Sequence, residues 1–202
     1  MHTPVWYFKF ANLNLAAEIT KEFQKSLPIV YPEFDILTSQ STYKQTPNNI
    51  VKDAMPLLSK VLKDEGLYDT WTSTSFIVTH SGALYRPHID KPATETTPAR
   101  VFALNWPIYN CDTSVTSFYK VPSTINKQKV HIIPNVGERL AYFTNMSETI
   151  LELVDSLTIN QPTWLRVDIP HGVRVTSKNT RLIASLRFTP EPYKYLGLIC
   201  PN

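Results

Sequence analysis

His88 and Asp90 stand two residues apart in the run Tyr85-Arg86-Pro87-His88-Ile89-Asp90-Lys91-Pro92. On an extended strand residues i and i+2 share a face, so one rigid element would present an imidazole and a carboxylate to the same space while Ile89 faces away. A second imidazole, His171, lies in Val167-Asp168-Ile169-Pro170-His171-Gly172-Val173, where one strand gives way through a turn to the next. Two histidines and one carboxylate make a facial triad suited to high-spin Fe(II), with three coordination positions left for a bidentate co-substrate and oxygen. A structural zinc site would close its tetrahedron with a fourth protein ligand. His-x-Asp alone is a weak signal, because a surface turn with a carboxylate beside an imidazole produces the same letters. The distant His171 strengthens it, and so does Arg181, ten residues further on at the start of the last strand. A guanidinium there can form a bidentate pair with a carboxylate held deep between the strands. Arg181, Ile183, Ser185 and Arg187 share one face, so Ser185 can add a hydroxyl and Arg187 is an alternative anchor. Either arginine can instead pair with an internal carboxylate or reach the rim.

Other polar residues fall close to this group. In Val101-Phe102-Ala103-Leu104-Asn105-Trp106, the residues Phe102, Leu104 and Trp106 share one face and Asn105 lies on the other. A buried amide needs partners, which for Asn105 are a co-substrate, an iron ligand, or the backbone of the Asn105-Trp106-Pro107 turn. The Tyr119 phenol can donate to a co-substrate carboxylate or belong to the core or rim. Lys91 and Arg100 flank a loop at residues 92–98 that follows the His-x-Asp pair and would help set substrate choice. Cys111 has no histidine pair to activate it and reads as structural, as do His80 at a strand end and His131 in an apolar run.

The elements that must position these groups follow from pattern and composition. A chain of 202 residues with 43% hydrophobic content can fill a sizeable core as a single domain. Residues 5–10 read as a strand and 15–27 as a helix with Ala16, Ile19, Phe23 and Leu27 in its stripe, stopped by Pro28. Residues 48–67 read as a second helix on Val51, Ala54, Leu58 and Leu62, which Pro56 kinks or restarts. Beyond residue 70 the period changes to about ten short β runs, at 74–80, 84–88, 101–106, 115–119, 129–133, 139–143, 150–153, 163–168, 172–176 and 181–188. So many strands in so short a stretch point to a sandwich or barrel rather than a doubly wound sheet. The expected division is helical support over 1–70, a β core over 71–190 and a tail over 191–202.

Composition excludes several functions. Lys plus Arg is 20 against 17 acidic residues, a net +3 with no dense basic patch, so nucleic acid is not an expected partner. The five glycines form neither GxGxxG nor GxxxxGK, and two cysteines are too few for a disulfide scaffold. No apolar run is long enough to span a membrane, and the expected location is cytoplasmic.

In these residues the chain resembles the Fe(II)- and 2-oxoglutarate-dependent oxygenase superfamily, most nearly its small prolyl or aspartyl/asparaginyl hydroxylase-like bacterial and phage members. The resemblance spans about residues 76–190. It rests on His88-Ile89-Asp90, His171-Gly172 and Arg181-Leu182-Ile183-Ala184-Ser185-Leu186-Arg187-Phe188, set among many short strands. It implies a mainly β fold, a double-stranded β-helix or jelly roll of cupin-like form, with the N-terminal helices covering one face. It further implies His88, Asp90 and His171 as iron ligands and Arg181 on the far carboxylate of 2-oxoglutarate. Asn105, Tyr119 and Ser185 are further candidates for co-substrate contacts, although Ile183 stands where many relatives carry a hydroxyl. The implied activity spends molecular oxygen and 2-oxoglutarate to hydroxylate a C–H bond of a peptide, amino acid or small molecule, with release of succinate and carbon dioxide. Two other readings use the same residues differently: a cupin-like metal enzyme without 2-oxoglutarate, and a non-catalytic β-sandwich in which the His/Asp grouping is coincidental.

Overall fold

In chain order the elements are β1 (Tyr7–Lys9), α1 (Ala16–Val30), β2 (Thr42–Pro47), α2 (Asn48–Ala54), α3 (Pro56–Asp64), β3 (Trp71–Thr79), β4 (Leu84–Asp90), β5 (Phe102–Tyr109), β6 (Ser114–Lys120), β7 (Val130–Asn135), β8 (Glu138–Phe143), β9 (Glu152–Leu157), β10 (Thr163–Arg166), β11 (His171–Val175) and β12 (Arg181–Phe188). A single 3-10 turn, Cys111–Thr113, joins β5 to β6. This computed structural model describes residues 7–10, 14–36, 41–90, 101–120, 130–135, 138–143, 151–176 and 178–189. The charges at Lys91 and Arg100, the loop between them and the tail at 191–202 lie outside the described residues. None of the helices is long and apolar enough to cross a membrane, among the described residues.

The strands form two six-stranded antiparallel sheets, ordered β1-β10-β5-β12-β3-β2 and β7-β8-β4-β11-β6-β9. These face each other as a double-stranded β-helix, the architecture the sequence pattern implies. Each of the ten β runs read beyond residue 70 overlaps a strand, the run at 150–153 by two residues only, because β9 begins at Glu152. The N-terminal segment, expected to be helical support, also supplies strands: β1 pairs with β10 and β2 with β3, closing both edges of the first sheet.

Helix α1 continues past Pro28 to Val30, where the sequence reading ended it. A proline in the last turn removes one helical bond, but the Tyr31 N–H still reaches Leu27 O at 2.8 Å, and Val30 and Tyr31 are buried. The expected second helix is broken at Met55 into two, with Pro56 opening α3 at a position where its missing N–H costs nothing. The Glu22 carboxylate accepts from the Leu57 and Leu58 N–H groups at 2.7 and 2.9 Å, so a side chain of α1 caps α3.

The main apolar core lies between these helices and the first sheet. Ile19, Phe23, Leu27, Leu58 and Leu62 meet Phe76, Leu104, Trp106, Leu182, Ala184 and Leu186, all buried. Phe23 sits with its ring 6.2 Å from Phe76 and 6.0 Å from Trp106. The Trp106 indole N–H donates to Thr20 Oγ1 at 3.0 Å. This layer holds β5 and β12 rigidly, so that their opposite faces present fixed side chains to the space between the sheets.

Candidate metal centre

His171 on β11 stands directly across from His88 on β4, and on its other side from Phe118 on β6. The two imidazole rings lie 4.5 Å apart between centroids. Asp90, two residues along β4, brings its Oδ1 to 3.6 Å from His88 Nε2 and 3.8 Å from His171 Nε2. One ligating atom from each of the three residues falls within 4.8 Å of the others, and all three residues are buried.

The chemistry of the group fits a divalent first-row metal. His171 Nδ1–H donates to Ile169 O at 2.9 Å, which turns the lone pair of Nε2 toward Asp90. Burial and the neighbouring His88 push the His171 imidazole down to about 4, against the opposite pull of Asp90 and the Ile169 bond. The ring is therefore neutral at pH 7, the form that ligates. Arg187 Nη2 donates to Asp90 Oδ2 at 2.6 Å, with both side chains buried. That bond holds one carboxylate oxygen and leaves the other facing the histidines. Two nitrogens and one oxygen on one side, with a cavity on the other, fit Fe(II) with open positions.

The cavity measures about 260 Å³ and runs between the sheets. Its walls include His88, Asp90, His171 and Arg187, apolar Ile77, Leu165, Val167, Val173 and Ile183, and polar Asn105, Ser185, Thr79, Thr116, Tyr85 and Arg181. Arg181 is buried at 2% exposure, and no carboxylate among the described residues pairs with it. Its neighbour Cys111 is also buried, with Sγ donating to Leu182 O at 3.1 Å, and burial pushes the thiol up from its ordinary value. Cys111, read as structural from the sequence, is a packed part of the wall behind Arg181.

The structure gathers six of the seven candidates. His88, Asp90, His171, Arg181, Asn105 and Ser185 all line the cavity. Ser185 Oγ donates to Asn105 Oδ1 at 2.5 Å across the β12–β5 pairing, so these two satisfy each other and the amide N–H₂ is turned away from that bond. Tyr119 is the exception and a correction. Thr116 and Phe118 point inward on β6, so alternation sends Tyr119 to the outer face, where it lines a separate cleft with Ser117, Leu153 and Arg174.

The tyrosines that line the cavity are Tyr43 and Tyr85, and the sequence reading missed both. Strict alternation from His88 puts Tyr85 on the opposite face, but Arg86 and Pro87 together stand opposite Gly172 alone. This one-residue bulge changes the parity of β4 and brings Tyr85 onto the face of His88 and Asp90. Pro87 inside a strand was the available signal, since proline there marks edges and bulges. The Arg187–Asp90 pair joins residues 97 positions apart and is the internal-carboxylate pairing that the sequence reading left open for either arginine.

No protein-family model matches the chain, and no curated protein is significantly similar to it in sequence. Solved structures agree with the fold. The epimerase SnoN, determined in complex with Fe3+, alpha ketoglutarate and nogalamycin RO, matches with TM-score 0.55 and 13% identity over 90% of this chain and 77% of that one. A prolyl-4-hydroxylase of Pseudomonas putida matches at 0.46 and 11%, over 90% and 91% of the two chains. Oxalate decarboxylase of Bacillus subtilis matches at 0.37 and 6%, with 79% of this chain against 29% of that one. The likeness to SnoN is one of fold, the double-stranded β-helix of two six-stranded sheets.

Proposed function

We propose that the protein is an Fe(II)- and 2-oxoglutarate-dependent dioxygenase that hydroxylates a C–H bond of a peptide, amino acid or small molecule. The observation that carries this reading is one cavity that joins a His/Asp/His cluster to Arg181, a buried guanidinium with no carboxylate of its own among the described residues. A buried cation in that position calls for an anion, and a dicarboxylate with a 2-oxo group meets both ends.

In this reading His88, Asp90 and His171 hold the iron, and Arg187 fixes the Asp90 carboxylate so that a single oxygen ligates. Arg181 binds the far carboxylate of 2-oxoglutarate. Ile77, Leu165, Val167, Val173 and Ile183 keep the space between dry, which strengthens every charge interaction within it. Bound Fe(II), 2-oxoglutarate and molecular oxygen supply the oxidising chemistry, with one oxygen atom leaving in succinate, the other in the hydroxylated product, and carbon dioxide released. The protein positions and excludes, its usual part in such reactions.

Incubation of the iron-loaded chain with 2-oxoglutarate in air, with peptides and amino acids as substrates, tests the reading. Iron-dependent release of succinate that disappears in Asp90→Ala is the expected result. Folded, iron-loaded protein that consumes no 2-oxoglutarate under any of these conditions would overturn it and favour a metal enzyme of the same fold that does not use this co-substrate.

A further inference from the structure

Arg181 is the first residue of β12, at the end of the first sheet. On the β3 side it stands opposite Thr79. On the other side no residue of β5 stands opposite it: the pairing ends at Leu182 and Tyr109, and the register is already irregular between Leu182 and Ile183. A strand end paired along one edge only frays readily. The backbone that carries the buried guanidinium therefore needs support that the β5 ladder does not give.

Side chains of the turn that follows β5 supply it. The Asn110 amide N–H donates to Thr180 O at 2.7 Å, and the Cys111 thiol donates to Leu182 O at 3.1 Å. Two consecutive residues thus hold the carbonyls on either side of Arg181, and the thiol also lies within hydrogen-bonding reach of the Arg181 side chain. Asn110 has φ of 51°, a left-handed conformation that is costly for most side chains and that asparagine tolerates best. The turn is tied down on its other side as well. Thr113 Oγ1 donates to Asn110 O at 3.0 Å, Ser114 Oγ to Cys111 O at 2.9 Å, and the Thr176 N–H to Thr113 O at 3.0 Å. Neither Asn110 nor Cys111 lines the cavity, so both act from behind its wall.

We infer that Asn110 and Cys111 are positioning residues, a clamp outside the cavity that fixes the root of Arg181 and so aligns its guanidinium with the co-substrate carboxylate. The inference rests on the proposed function and adds the residues that act through its anchor. A bidentate pair needs both N–H groups aimed at the two carboxylate oxygens. A long side chain keeps that aim only when the backbone beneath it and the groups around it are locked. A turn already ordered on folding also spares the cost of ordering Arg181 at each binding event.

The test is calorimetric binding of Mn(II), and then of 2-oxoglutarate to the Mn(II)-loaded chain without turnover. Asn110→Gly keeps the left-handed backbone and deletes the donor, Cys111→Ala deletes the thiol, and Cys111→Ser returns a donor to the same place. Asn110→Gly and Cys111→Ala are each expected to weaken 2-oxoglutarate about 5-fold, the effect of one neutral hydrogen bond. Mn(II) affinity should stay unchanged, and Cys111→Ser should recover most of the Cys111→Ala loss. Folded variants that bind 2-oxoglutarate like the native chain, that lose Mn(II) in step with it, or in which serine recovers nothing, overturn the clamp while leaving the proposed function standing. Should Cys111→Ala fail to fold, Asn110→Gly alone decides between these outcomes. A native chain that binds Mn(II) but no 2-oxoglutarate overturns both.

Discussion

The two faces of β12 are equally buried and chemically opposite. Leu182, Ala184, Leu186 and Phe188 enter the core beneath the helices, where aromatic and aliphatic neighbours close around them. Arg181, Ile183, Ser185 and Arg187 face the cavity. Burial alone therefore does not separate core from site. The ion pairing does: Arg187 holds the Asp90 carboxylate and Ser185 bonds Asn105, whereas Arg181 pairs with no carboxylate among the described residues. An arginine that already holds a carboxylate supports the metal ligand, and in the proposed reading the one without a carboxylate takes the co-substrate.

The strongest way to break this contrast is Arg187→Met, which keeps volume but strands Asp90. Removing one member of a buried pair costs about 3–5 kcal/mol, so urea unfolding of the metal-free variant should show a loss of that size. Metal loading should recover part of it, because the ion then supplies the counter-charge; an equal loss with and without metal would mean Arg187 does not support the ligand carboxylate. Next is a comparison across the strand. Leu186→Ala opens the closed core and should cost about 3 kcal/mol. Ser185→Ala, on the cavity face, should cost about 1 kcal/mol, and equal costs would erase the distinction between the faces.

A further effect, spread over a range of conditions, is expected from pH. His171 is held down to about 4 when folded, so between that value and about 6.5 the unfolded chain binds a proton that the folded chain refuses. Stability of the metal-free protein should accordingly fall as pH drops through that window, by on the order of 1–3 kcal/mol, and be fully retained above it. Denaturant titrations from pH 7 to pH 4 on native protein and His171→Phe measure it, with a shallower slope in the variant. Identical slopes would mean that His171 is not buried as a neutral ring.

Much of the frame was legible because period-two patterning survives burial. β5 and β12 announce their two faces through Phe102, Leu104 and Trp106 against Asn105, and through Leu182, Ala184 and Leu186 against Arg181 and Ser185. β2 was not, since Thr42-Tyr43-Lys44-Gln45-Thr46-Pro47 carries no apolar alternation and pairs on one side only, at a sheet edge. At the site, the pattern His88, Asp90, His171 and Arg181 could be read from spacing. Tyr85 could not be read by alternation, because the bulge at Arg86 and Pro87 inverts the parity on which alternation depends. Tyr119 failed for the opposite reason: alternation held, and the inward place belongs to Phe118. Which arginine would stand unmatched was settled by Asp90, a partner distant in sequence.

Anaerobic titration of the chain with Fe(II) and then 2-oxoglutarate, followed by the metal-to-ligand charge-transfer absorption, tests the central claim most directly. The account predicts that the native chain develops the band, that His171→Ala binds iron more than about 100-fold more weakly, a greater loss than removal of a supporting group causes, and that Arg181→Ala needs some 100-fold more co-substrate, about 3 kcal/mol for a buried charge pair. Folded, iron-loaded native protein with no band at saturating 2-oxoglutarate would contradict it.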